Sequence, residues 1–285
     1  MKNIPIRYIN TTQKEPDLSG GFSIRDVQEL LAGKNMVQEL HRHDFFFILA
    51  LKKGTGDHEI DFTSYEVGDN AVFFMRPGQV HQLTLKVGST GYLIQFKADF
   101  YYHHDQVSSQ LLRKAGTRNF YQLDTTRFKK LLSILTYISQ EYTGKQEQYQ
   151  EVIKANLGIL LIELVRQNGK SPSNNVNTYT QERLDELLEL LDTHITNHKQ
   201  ASQYADMLNL SLYQLNAITK TSLGKTCSEL INEHIVLEAK RYLLATSDQV
   251  SQIADHLGYE DVSYFIRFFK KHTGYSPEVF RHNFR

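Results

Sequence analysis

The stretch "ADMLNLSLYQLNAITKTSLGK" at 205–225 returns, much altered, as "ADHLGYEDVSYFIRFFKKHTGY" at 254–275. Each copy carries Ala-Asp-x-Leu, a short break, a polar residue, a second periodic segment and a Gly. The second copy is one residue longer at the break, and from Ser211 and Asp261 onward the offset is 50. Leu215 then matches Phe265, Lys220 matches Lys270 and Gly224 matches Gly274. This pattern reads as helix, tight turn, helix, built twice. Ala205 and Ala254 are small where two helices cross closely. Gly258 suits a turn that needs positive φ. Ser211 and Asp261 are N-cap types opening the second helix of each copy. On that helix Leu212, Leu215 and Leu223 are expected to face inward, as are Val262, Phe265 and Phe269 in the second copy.

The outward faces then carry Tyr213, Asn216, Ala217 and Lys220 in the first copy, and Ser263, Tyr264, Arg267, Lys270 and Lys271 in the second. Polar outer faces are ordinary on surface helices. A repeated helix pair that presents Arg, Lys, Asn, Ser and Tyr also suits a DNA major groove, where Arg reads guanine, Asn reads adenine and Lys meets phosphate. The candidate DNA-binding residues are Tyr213, Gln214, Asn216, Lys220, Ser263, Tyr264, Arg267 and Lys271.

The longer segment "IADHLGYEDVSYFIRFFKKHTGYSPEVFR" resembles the signature of the AraC/XylS family of bacterial transcription regulators. Ile253, Ala254, Gly258, Asp261, Ser263, Phe265, Arg267, Phe269, Lys270, Gly274, Ser276, Pro277 and Arg281 stand where that signature has them, with Tyr259 for the usual Phe and Phe280 for the usual Tyr. The resemblance covers residues 180–285 and implies a double helix-turn-helix domain with motifs at 201–223 and 250–273. It also implies an N-terminal sensing domain, double-stranded DNA as partner and RNA polymerase as a possible one. The first motif departs from the family: Ala217 replaces the usual Arg and Thr219 the usual Phe.

Charge tempers this reading. Residues 179–285 hold 11 Lys and Arg against 14 Asp and Glu, whereas 261–285 alone hold five cations and two anions. Phosphate contacts dominate DNA affinity, so a shallow salt dependence is expected. Between the motifs, 227–245 reads as one helix about 28 Å long at ~1.5 Å per residue. Two recognition helices held that far apart can read unlike half-elements about one turn of DNA apart.

The front half has another period. "FFFILALKKGTGDHEIDF", "YEVGDNAVFFMRPGQVHQLTL" and "TGYLIQF" are short β-type runs divided by turn residues, which suggests a sandwich or small barrel. "His41-Arg-His43" with His81 38 residues further on is similar to the cupin barrel, whose metal-bearing members use such histidines. Strand alternation puts His41 and His43 on one face. Three imidazoles suit Zn, Fe or Ni. Metal cupins add a Glu shortly after His-x-His, where this chain has "DFFFILA", and regulators of the AraC type often keep the histidines without a metal. No cofactor or metal is therefore expected. His41, His43, Phe45, Phe47 and His81 are instead candidate contacts for a small-molecule effector; Phe74, Tyr92 and Phe96 could join its pocket, although such aromatics are more often simply core. Two amphipathic helices follow at 126–142 and 147–168, with Leu131, Leu132, Leu135 and Ile138, then Val152, Leu157, Leu160, Leu161 and Leu164. They resemble the family's dimer-forming helices.

The expected class is α+β in two domains. Residues 1–168 form a cupin-like barrel with flanking helices, opened by an irregular arm at 1–21. Residues 169–179 are a linker and 180–285 an all-α double helix-turn-helix domain. The 285 residues suffice for two modest domains. The single cysteine, Cys227, allows no intrachain disulfide, and no apolar leader or membrane-length run is present. The expectation is a cytoplasmic homodimeric transcription regulator, not an enzyme, with no membrane partner. The alternative is a cupin metalloenzyme using His41, His43 and His81.

Overall fold

The computed structural model describes residues 6–7, 21–101, 106–167 and 178–284, which fall into two compact units. The proposed linker at 169–179 and the arm at 1–21 lie almost wholly outside the described residues.

The first unit contains strands β1 (Ile6–Arg7), β2 (Phe22–Asp26), β3 (Met36–His43), β4 (Phe46–Lys53), β5 (Gly56–Ile60), β6 (Thr63–Val67), β7 (Ala71–Met75), β8 (Val80–Leu85), β9 (Thr90–Phe96) and β10 (Phe120–Gln122). They form two five-stranded sheets, ordered β1-β3-β8-β5-β6 and β10-β7-β4-β9-β2. Pairing is antiparallel throughout except where β1 runs parallel to β3. Short helices α1 (Val27–Leu31), α2 (Ala98–Tyr101) and α3 (Gln106–Ala115) and the long α4 (Thr125–Gly144) and α5 (Tyr149–Gln167) complete the unit.

The second sheet is buried on both faces, and alternation along β4 shows how. Phe47, Leu49 and Leu51 turn inward to meet Ile60, Val67, Leu83 and Leu85 of the first sheet. Phe46, Ile48 and Ala50 turn outward under α4 and α5, where Leu131, Leu135, Ile138, Ile153, Leu157, Leu160, Leu161 and Leu164 cover them. Phe74, Phe96 and Tyr92 belong to this outer layer, so they support the helices and do not line the barrel interior. Ile153 takes the buried place expected for Val152, and Leu132 is only half-buried. Tyr137, Ile159 and Ile162 remain exposed on the helix pair.

The second unit contains α6 (Thr178–His194), α7 (Ala201–Met207), α8 (Leu212–Leu223), α9 (Cys227–Ala245), α10 (Val250–His256), α11 (Val262–Thr273) and α12 (Pro277–Phe284). Its duplication is repeated in backbone detail. Gln203 Oε1 accepts from Gln200 N–H at the start of α7, and Gln252 Oε1 from Gln249 N–H at the start of α10. Each motif turns through one left-handed residue, Asn209 at φ 54° and Gly258 at φ 70°. After it, Leu210 N–H donates to Ala205 O and Tyr259 N–H to Ala254 O, both at 2.9 Å. The side chains of Ser211 and Asp261 cap α8 and α11, and Gly224 and Gly274 close them at φ 72° and 82°. Leu215, Ile218 and Thr219 form the buried side of α8, and Phe265 and Phe269 that of α11. Leu212 and Leu223 were expected inside but are 46% and 37% exposed, because they fall off the narrow stripe that α8 buries.

Candidate DNA-reading helices and a histidine-filled barrel

The four candidates on α8 differ in their surroundings. Tyr213 projects into solvent at 84% exposure, and Gln214 and Lys220 are exposed as well. Gln214 Oε1 is already used, accepting from Ser211 N–H at 2.9 Å and Ser211 Oγ–H at 3.0 Å in a capping box. Asn216 is half-buried, and its Oδ1 accepts from Cys227 N–H at 3.0 Å. That bond supplies an acceptor to a first-turn donor of α9, a group the helix itself cannot satisfy. Asn216 thereby braces α8 against α9 through its Oδ1. Asn216→Ala is expected to destabilise the unit by about 1 kcal/mol, the usual cost of a lost cap. Chemical denaturation followed by circular dichroism measures this; unchanged stability with weakened DNA binding would place Asn216 on the reading face.

On α11, Ser263, Tyr264, Arg267 and Lys271 share one exposed surface. Asp261 Oδ1 accepts from Ser263 N–H at 2.7 Å, while its other oxygen stands 3.9 Å from the Arg267 guanidinium. An ion pair this exposed contributes little, so Arg267 can exchange it for a base or phosphate at small cost. Arg281 has a different duty: its guanidinium donates to Leu243 O at 2.9 Å and Asp248 O at 2.6 Å, tying α12 to the end of α9. Sequence reasoning missed Lys199, whose ammonium donates to Thr196 O at 2.6 Å and Gly258 O at 2.9 Å while standing over the Tyr259 ring. It anchors the turn of the second motif to the segment after α6, and burial lowers its pKa. Nothing in its local sequence signals that role.

In the barrel, the five effector candidates converge. His41 and His43 on β3 face His81 on β8, and Phe45 and Phe47 pack on the His43 ring. A fourth ring, His58 on β5, was not anticipated, although alternation with inward Ile60 places it on the inner face. His58 Nε2 lies 2.8 Å from His81 Nδ1. All four imidazoles are buried, and burial, with His41 adding a smaller push, lowers the His58 pKa to about 3. His58 is thus neutral near pH 7. Phe45 and Phe47 are themselves fully enclosed, boxing the histidines.

Comparison with known proteins gives a consistent picture. Residues 33–155 match a family model described as an AraC-like ligand binding domain, and residues 204–283 one described as a helix-turn-helix domain. The HTH-type transcriptional activator RhaS of Escherichia fergusonii is 25% identical over 246 residues, covering 85% of this chain and 86% of that protein. RhaS of Klebsiella pneumoniae is 26% identical over the same shares. Among solved structures, unsaturated fatty acid-bound ToxT from Vibrio cholerae is 15% identical, with 92% of this chain and 95% of that chain covered at a TM-score of 0.42. The two family models together span well over half of the chain, in the order sensor then helix-turn-helix, and relatives align along most of its length. The chain belongs to the AraC family of transcription regulators.

Proposed function

We propose that this regulator is a transcription activator that grips duplex DNA with α8 and α11 in successive major-groove faces and answers to a small effector held in the N-terminal barrel. The observation that carries the reading is the duplicated motif itself. Two helix-turn-helix copies sit at the two ends of the 19-residue α9, and each second helix presents an exposed polar face. In α11 that face is Ser263, Tyr264, Arg267 and Lys271; in α8 it is Tyr213, Gln214 and Lys220. Arg267 is the strongest candidate for a base contact, since its planar fork suits guanine. Arg267→Ala is expected to weaken specific binding by roughly 1–3 kcal/mol, about 5- to 150-fold. Fluorescence anisotropy on a duplex selected by the wild-type protein checks this, and unaltered affinity removes Arg267 from the interface.

The acid-rich remainder of the unit predicts few phosphate contacts. The slope of log affinity against log salt should be shallow, and a slope implying about ten released counterions, as in strongly basic DNA binders, contradicts the reading. Effector control requires the effector to favour one arrangement of the DNA-binding units over another. Tyr137, Ile159 and Ile162 on α4 and α5 offer an apolar face for a second copy of the chain. Activation implies contact with RNA polymerase, and the site of action is the cytoplasm. No helix among the described residues is long and apolar enough to cross a membrane. Membership of a regulator family favours this reading over the cupin metalloenzyme.

A further inference from the structure

We propose that α8 selects thymine, through apolar contact of Ala217 and Tyr213 with 5-methyl groups in the major groove, so that the two motifs read chemically unlike half-elements. This selection rests on the reading that α8 enters a major groove and adds the base it takes. The internal duplication supplies the comparison. At the offset of 50, Tyr213 stands where Ser263 does, Ala217 where Arg267 does and Lys220 where Lys270 does. Residues 213, 217 and 220 are four and three apart, so they share one stripe of α8. That stripe lies opposite Leu215, Ile218 and Thr219, which the helix buries. Tyr213, Ala217 and Lys220 are all exposed, Tyr213 at 84%. In α11 the same stripe holds the Arg267 guanidinium and the Lys270 ammonium. In α8 it holds a methyl group, an aromatic ring and one ammonium.

The amides beside the stripe are already engaged. A glutamine or asparagine reads adenine by donating and accepting together. Gln214 Oε1 accepts from Ser211 N–H and from Ser211 Oγ–H, which occupies both lone pairs of that oxygen. Asn216 Oδ1 accepts from Cys227 N–H at the start of α9. The acceptor half of the adenine contact is thus in use in both side chains, and α8 carries no guanidinium to take guanine. What remains toward the base edges is apolar. The thymine C5-methyl is the apolar group of the major-groove edges, and alanine is among the side chains that meet it. Ala217 has no long stem to hold its helix off the bases, whereas Arg267 needs room for its own side chain. Leu212, 46% exposed in the first turn of α8, extends the apolar surface beside Tyr213. Recognition helices present their N-terminal residues to the bases. That puts Tyr213 and Ala217 over the base edges and leaves Lys220, further along α8, for phosphate.

The test uses the full-length chain and a duplex that the wild-type protein selects from a random pool. Footprinting assigns to α8 the patch that Arg267→Ala leaves protected. Thymines in that patch are replaced one at a time by deoxyuridine, which removes the 5-methyl group and nothing else, and affinity is read by fluorescence anisotropy. Replacement of a contacted thymine should weaken binding about fourfold, the worth of one buried methylene-sized group. In Ala217→Gly, which deletes the contacting carbon, that loss should vanish at one position while circular dichroism shows the chain folded. If this variant fails to fold, Ala217→Arg decides: a fresh selection with it should replace thymine by guanine at that position. A selected duplex without thymine in the α8 patch, full affinity for every deoxyuridine duplex, or a loss that persists in Ala217→Gly overturns thymine selection while both patches stay protected. A single protected patch overturns the reading beneath it, that α8 enters a groove at all.

Discussion

Replacing Gly258 with Val is expected to destabilise the C-terminal unit by roughly 3 kcal/mol or more, the sum of a left-handed backbone penalty and an overpacking penalty. The position has φ 70°, and a Cβ built there would lie 2.0 Å from Thr196 O and 2.8 Å from Lys199 Nζ. A backbone oxygen cannot step aside as a flexible side chain can. The turn must therefore shift, and with it the bond from Lys199 Nζ to Gly258 O. The first motif is the internal control. Asn209 occupies the equivalent turn at φ 54°, and Asn is among the few residues that visit this region readily. Asn209→Gly should change stability by less than about 1 kcal/mol, since the turn already tolerates a side chain there. Urea unfolding followed by far-ultraviolet circular dichroism reads both. A Gly258→Val protein as stable as the wild type would mean that the segment holding Thr196 yields, and the anchoring role given to it would fall.

Phe269→Ala is expected to remove about 3–5 kcal/mol from the same unit, the range for truncating a core aromatic. Phe269 is fully buried beneath α11, 6.1 Å from the Phe265 ring and in an edge contact with Phe280 at 5.4 Å. Its loss takes contacts from α11 and α12 together. At the matching place in the first motif stands Thr219, also fully buried, with its hydroxyl donating to Asn216 O at 3.2 Å. Thr219→Ala removes less volume and should cost roughly 1 kcal/mol. The same unfolding experiment separates the two. Equal losses would contradict the asymmetry between a large-cored second motif and a smaller-cored first.

Much of this architecture is legible in residue order. The change from alternating to helical periodicity separates the barrel from its helices, and the offset of 50 between Leu215 and Phe265 marks the paired motifs. Caps at Ser211 and Asp261 and the left-handed Gly258 follow from residue type. Other features depend on what lies across space. Phe74, Tyr92 and Phe96 are core, the commoner of their two readings, but which face of the sheet they serve is not legible, because a sheet covered on both faces shows no polar side to orient it. The bond from Cys227 N–H to Asn216 Oδ1 joins residues 11 apart in sequence, and nothing in the helical pattern of α8 signals it. Leu212 and Leu223 satisfy a helical stripe on paper, yet α8 buries a narrower one. His58 carried a faint signal, two residues before inward Ile60, but no familiar motif includes it.

The central claim is that one chain reads DNA through two unlike helices. Hydroxyl-radical footprinting on a duplex selected by the full-length protein tests it most directly. Each chain should protect two patches on one face of the duplex, about one helical turn or ~10 base pairs apart. Arg267→Ala should open one patch and leave the other in place. A single protected patch per chain, or loss of both patches together at protein concentrations that saturate the site, would contradict the account.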